Sequence, residues 1–169
     1  MPADFPEPAE PASSRAEVYL RYLAYFRQRL GEQLRALPAG SVRTSSLPTG
    51  WAPIELVKHL VFVERRWLEW GFEGRPMEDP WGDEREGRWY VDPEESPAGL
   101  LAELAEQQVR SERVVGSHRL EEVGQPGPRW GGASPATLER VLLHLVQEYA
   151  RHLGHLDIVV ELAGAGSGE

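Results

Sequence analysis

An all-α fold, a four-helix bundle with long connectors, is what this sequence of 169 residues predicts. Apolar residues recur at threes and fours over four separate stretches, and no alternating apolar/polar run of strand length interrupts them. Clusters of Pro, Gly and Ser mark the boundaries. The length suits one domain that buries its core without staples. The expected organisation is a disordered N-terminal arm over 1–12, the bundle over 13–163 and a disordered tail over 164–169.

The arm holds four prolines and too few apolar groups to offset the entropy of ordering it. From Ser13 or Ser14 the pattern turns helical through Val18, Tyr22, Phe26, Leu30 and Leu34, until Pro38-Ala39-Gly40 stops it. Residues 41–50 are turn and cap material. Helix two is expected from Pro53, which suits a first helical position, to about Phe72. The segment 73–95 is long for a bundle connection, where about two to eight residues are usual. It holds nine acidic residues together with Trp81, Trp89 and Tyr90, so it is expected to fold down over the bundle end or a pocket. Ser96-Pro97 opens helix three as a cap and first-position pair, and Ser134-Pro135 repeats the device for a last helix reaching about Ala163. Between them, 116–132 is a Gly/Pro-rich connector.

Composition removes several function classes. The formal net charge is −9, and no basic stripe is present to replace counterions on phosphates, so nucleic acid is not an expected partner. With no cysteine, disulfides and thiolate metal sites are excluded, and any metal must be held by His and carboxylate. The amino terminus lacks the basic and apolar regions of a secretory signal, and no apolar run reaches the roughly 18–20 residues that span a bilayer. A cytoplasmic protein without membrane contact is expected. No nucleophile elbow, P-loop or dinucleotide fingerprint occurs.

The chemistry concentrates in His144-Leu-Val-Gln-Glu148-Tyr-Ala-Arg-His152-Leu-Gly-His155. With His144 at zero, Glu148, His152 and His155 fall at roughly 40°, 80° and 20°, so four potential ligands share one helical arc. Glu148 and His152, one turn apart, are spaced to bind one divalent ion; the bland alternative is a hydrogen-bonded pair. On helix two His59 lies at the edge of the apolar face, as Glu148 and His152 do on the last helix, and a lone His there is otherwise a satisfied core residue. Two apolar edges carrying imidazole can face each other across a metal. His155 reads as an outer group that orients a ligand, or as a fourth ligand; His144 reads as a helix–helix hydrogen bond or an alternate ligand. Trp67, Trp70 and Tyr149 are candidates for lining a pocket above the metal, with a core role as the alternative.

The stretch from Leu47 through Trp51, His59 and Trp67, followed far downstream by Leu143 to Ile158, resembles the DinB-like (YfiT-type) superfamily. It is closest to the actinobacterial branch related to mycothiol-dependent maleylpyruvate isomerase, and the likeness covers about residues 14–163. The resemblance implies a bundle in which one His of helix two and a pair spaced i, i+4 on the last helix bind a divalent metal. The implied ligands are His59, Glu148 and His152. Many relatives carry His where Glu148 stands, and a carboxylate there widens the choice of ion from zinc or nickel toward iron and manganese. Members with activity transfer a low-molecular-weight thiol to an electrophile or use it to isomerise one, and a homodimer is a further expectation. The second domain of the isomerase has no counterpart in these residues, which favours a thiol S-transferase acting on small electrophiles. A non-enzymatic metal-binding stress-response module is the alternative, and a metal-dependent hydrolase ranks last because Glu148 cannot easily be both ligand and base.

Overall fold

Ser14 caps the first helix by accepting the Glu17 amide at 3.1 Å, and α1 runs Arg15–Ala36. In the computed structural model, which describes residues 4–164, three more α-helices follow: α2, Pro53–Glu64; α3, Pro97–Ser117; and α4, Leu138–Leu162. The expected all-α bundle is therefore the fold. Helix α1 packs chiefly on α4 and α2 on α3, while α2 also meets α4. The shared interior is built from leucines with no exposed surface, among them Leu23 and Leu30, Leu56 and Leu60, Leu142, Leu145 and Leu156. Each such side chain contributes about 1.5–3 kcal/mol on leaving water.

At the bundle centre a polar knot takes one residue from each helix. The Glu64 carboxylate, fully buried at the end of α2, accepts both Nε and Nη2 of Arg27 from α1 at 2.8 Å. It also accepts the Ser111 hydroxyl from α3 and the Tyr149 hydroxyl from α4, each at 2.5 Å. Burial works to raise the Glu64 pKa, and the Arg27 charge with these hydrogen bonds overcomes it, so the group stays ionised. Tyr149, expected as pocket lining, is thus a core residue with no exposed surface, and Phe26 stacks on its ring. Its place one residue after Glu148 turns it roughly 100° away from the metal arc.

Helix two ends where the sequence placed it, although its geometry changes on the way. Arg65–Phe72 is π-helical, with the Glu73 amide donating to Leu68 O at 2.9 Å. A wider turn breaks the regular 100° step. Trp67 consequently meets His144 and Trp130, whereas Trp70 meets Trp81 in the acidic segment.

The acidic segment carries a hairpin too short for a periodicity signal: β1, Glu84–Arg85, pairs antiparallel with β2, Arg88–Trp89. Its two turn residues, Glu86 and Gly87, have φ of 53° and 74°, the signs of a type I′ turn. The hairpin folds onto the bundle, as the aromatic content of the segment led one to expect.

The start of α4 corrects the sequence reading. Ser134-Pro135 does not cap it; Thr137 does, accepting the Arg140 amide at 3.4 Å. The reason is a backbone ladder that captures the intervening residues in extended form. Gly124 N–H donates to Ala136 O at 3.0 Å, Leu138 N–H to Glu122 O at 2.9 Å and Glu139 N–H to Leu120 O at 3.0 Å. At the other end of the chain, Phe5 of the arm packs edge-on against Tyr22 and Tyr25, with centroids 6.1 and 5.3 Å apart. Residues 1–3 and most of the expected tail, 165–169, lie outside the described residues. No described helix is long and apolar enough to cross a membrane.

Candidate metal centre

Packing of α2 against α4 brings three potential ligands together. One donor atom each from His59, Glu148 and His152 lies within 4.8 Å of the other two. The structure thus unites the three residues that the sequence put forward, and among the described residues no fourth acid or imidazole joins the group. His59 and His152 keep 13% and 10% of their side-chain surface exposed and Glu148 26%, so the cluster is sheltered and still reachable.

His59 is gripped from behind. Its Nδ1 donates to Asp83 Oδ2 at 3.0 Å, which fixes the tautomer and leaves Nε2 with a lone pair. Asp83 has no exposed surface, and Arg66 clamps it with Nη1 to Oδ1 at 2.5 Å and Nη2 to Oδ2 at 3.0 Å. Burial raises the Asp83 pKa, and the His59 and Arg66 hydrogen bonds outweigh it, keeping the carboxylate charged. Burial, with the neighbouring His152 and Arg66 charges, holds the His59 pKa below the usual histidine range. This imidazole is neutral at pH 7, the form that binds metal.

Glu148 stands between two imidazoles. His152 Nε2 lies 3.1 Å from Oε2, and His144 Nε2 lies 3.3 Å from Oε1. The His152 hydrogen bond leads the causes that hold the Glu148 pKa below its ordinary value, with the charges of His144, His152 and His59 adding to it. His144 therefore lies directly against the Glu148 carboxylate. His155 makes ring contacts only, 5.7 Å from His152 and 6.5 Å from Trp51. Burial lowers the pKa of both His144 and His155.

Aromatic rings roof the cluster. Trp89 of the hairpin stacks on His59 at 4.3 Å with 22° between planes, and its ring meets His152 at 5.2 Å. Trp51 meets Trp89 at 6.0 Å, and the two line a cavity of about 310 Å³ with Thr49, Glu55 and Arg88. Asp83 and Trp89 are the residues sequence reading missed. Glu86-Gly87 is a weak hairpin signal, but nothing in the sequence aims the folded segment at His59.

The donor set fits a divalent ion. Bonds of about 2.0–2.2 Å in a tetrahedron place ligand atoms roughly 3.4 Å apart. Glu148 and His152 already stand near that spacing, joined by a hydrogen bond whose proton bridges them as a cation would. His152 Nδ1 is buried without a partner, so no hydrogen bond on that side opposes a small rotation of the ring toward an ion.

A family model described as mycothiol-S-transferase matches residues 18–164, a span that takes in α2, α3, α4 and every residue named in the cluster. No curated protein matches the chain. Since the family match covers most of the sequence, the chain belongs to the mycothiol-S-transferase family of the DinB-like superfamily.

Proposed function

We propose that this protein is a metal-dependent S-transferase that joins a low-molecular-weight thiol of the mycothiol type to small electrophiles. The observation that carries the reading is the three-donor cluster of His59, Glu148 and His152, which no fourth described acid or imidazole completes, beside an aromatic-walled cavity. Three protein ligands with one position free is the pattern of catalytic metal sites, whereas structural sites are closed. Zinc is the first choice of ion; nickel, iron and manganese are compatible with two imidazoles and a carboxylate. Bound there, a divalent ion supplies Lewis acidity that holds a thiol as its thiolate at neutral pH.

The chain's own residues do the rest. Asp83 keeps His59 in the tautomer that offers Nε2. Glu148 brings one negative charge, which lowers the net charge of a bound ion, and His144 holds its second oxygen. Trp89 and Trp51 exclude water on one side and offer flat apolar walls to a substrate. Hydrolysis gains no support, because the nearby carboxylate Asp83 is fully engaged by Arg66 and His59 and is not free to act as a base. A non-enzymatic metal-binding module draws on His144, whose Nε2 is 3.3 Å from Glu148 and which would close the coordination sphere if its ring swung inward. Cytoplasmic location and a homodimer go with the main reading as expectations of the family.

The deciding experiment is metal analysis of protein purified without an affinity tag, followed by conjugation of a fluorogenic electrophile to mycothiol. One ion per chain, lost in His152→Ala together with conjugation, is the expected result. A folded protein that takes up no stoichiometric metal, or no conjugation above the uncatalysed rate, overturns the reading.

A further inference from the structure

Arg129 carries a guanidinium that no carboxylate among the described residues answers. It sits in the short 3-10 turn Pro128–Trp130, with its charged end 3.7 Å above the centroid of the Trp67 ring and 6.0 Å from that of Trp81. Its Nε is buried without a partner, and the side chain makes no hydrogen bond or ion pair with any described residue. A half-buried, unpaired guanidinium is costly unless something neutralises it. In a chain of net charge −9 a carboxylate partner was easy to supply. Asp83 is fully used: Arg66, which lies 4.5 Å over the same Trp81 ring, takes both its oxygens. Two guanidiniums thus face one indole, and Asp83 answers Arg66.

The location matters as much as the charge. Trp67, on which Arg129 stacks, also meets the His144 ring at 4.6 Å, and His144 lies 3.3 Å from Glu148. One indole therefore touches both the Arg129 guanidinium and the edge of the donor cluster. The turn is held against the π-helical segment at Gly71, where an added Cβ would come within 3.3 Å of Arg129 Cγ and 3.6 Å of Trp130 Cζ2. The absence of a side chain at Gly71 makes the room in which the Arg129 stem lies flat. A planar cation pre-stacked on an indole loses little freedom when it forms a forked pair with a carboxylate.

We propose that Arg129, walled by Trp67, is an anchor for a carboxylate, and that the electrophiles this site takes are small molecules bearing one. The substrate class rests on the transferase reading above; the anion site does not. It places the carboxylate beside the ligand cluster and leaves the Trp51/Trp89 cavity for the co-substrate.

The test separates the two. Purified full-length protein of equal metal content is titrated with benzoate and with its uncharged analogue benzamide, followed by ligand-detected NMR. Wild type binds benzoate at least about tenfold more tightly, as expected for a charge-assisted pair. Arg129→Gln erases that preference, Arg129→Lys keeps part of it because the charge remains without the fork, and Arg140→Gln on the exposed first turn of α4 leaves it intact. Equal affinity for the two compounds in wild type, or a preference that survives in folded Arg129→Gln, overturns the anion site. Conjugation is then compared for 6-maleimidohexanoate and its methyl ester, whose reaction adds the thiol sulfur to one alkene carbon and a proton to the other. The acid-to-ester ratio of kcat/KM falls about tenfold in Arg129→Gln. A ratio unmoved by the substitution overturns the substrate class. No conjugation of either compound overturns the transferase reading, while benzoate binding still decides the anion site.

Discussion

His59 donates its Nδ1–H to the fully buried carboxylate of Asp83 at 3.0 Å, across 24 residues of sequence and from a hairpin segment to a helix. That bond fixes which nitrogen faces Glu148 and His152, and Asp83 is in turn fixed by Arg66. The chain Arg66, Asp83, His59 makes the acidic segment part of the candidate metal centre.

The first prediction follows. Asp83→Asn keeps the shape and removes the charge that favours the Nδ1–H tautomer, so metal affinity falls about 10–100-fold. Competition against a chromophoric chelator measures it. Asp83→Ala also leaves Arg66 buried and unpaired, and is expected to cost about 3–5 kcal/mol in denaturant unfolding. Unchanged affinity in a folded Asp83→Asn protein sinks the argument.

Trp89 is the roof, and its loss is a local event. Trp89→Ala removes the stack on His59 and the contact with His152, while the leucine core stays intact. Amide exchange in 81–91 is expected to quicken and the bound ion to leave faster, with the bundle's unfolding midpoint little changed. Slow exchange in the variant would show that Asp83 alone holds the segment down.

The four-helix knot predicts a double-mutant result. Glu64→Ala strands Arg27 in the core, where it is 5% exposed, and is expected to cost about 3–5 kcal/mol. Tyr149→Phe removes one hydrogen bond and costs about 1–3 kcal/mol. Replacing Arg27 and Glu64 together by Met and Leu should recover most of the Glu64→Ala loss, since no buried charge is then uncompensated. Additive losses in the double variant would refute the pairing.

Stability should depend on pH with a definite sign. Burial holds the pKa of His59, His144 and His155 below the ordinary value of about 6.5. As pH falls past that value the unfolded chain binds protons that the folded chain refuses, so unfolding becomes easier. Asp83, Glu64 and Glu148, also held low, add to the loss further down, below the carboxylate range. Chelator-treated protein is therefore expected to be most stable above about pH 7, and His59→Gln to flatten the upper part of the decline. A stability maximum at pH 5 would contradict it.

Gly71→Ala tests the seat of Arg129. The new Cβ would stand 3.1 Å from Arg66 O, which is backbone and cannot yield cheaply. A destabilisation of about 1–3 kcal/mol is expected from thermal unfolding. If the variant is neutral, the packing of the 128–130 turn is looser than the contacts imply.

How far the sequence reached can be read from particular residues. His59, Glu148 and His152 were legible because each is written on a regular helix: a 100° step places i and i+4 on one face and marks which edge of the apolar stripe carries an imidazole. The same arithmetic does not carry through Arg65–Phe72, because a π-helical run widens the turn through hydrogen bonds the sequence does not announce. It also put the α4 cap at Ser134, because a backbone ladder between 120–124 and 136–139 is a non-local pairing that local cap signals cannot see.

Sequence by itself determined the helices, the cap at Ser96, the apolar faces, and the donors on their edges, His59, Glu148 and His152 with His144 and His155 beside them. These follow from periodicity and from side chains that satisfy neighbouring backbone groups, both of which act over a few residues. Only the tertiary structure decided that Asp83 and Trp89 close over His59, that His144 rather than His155 lies against Glu148, that Tyr149 belongs to the core, and that Arg129 stacks on Trp67 with no carboxylate among the described residues. Those outcomes depend on which surfaces meet across tens of residues. Contacts of that kind are set by how the whole interior packs and by how many carboxylates remain to share among the buried cations.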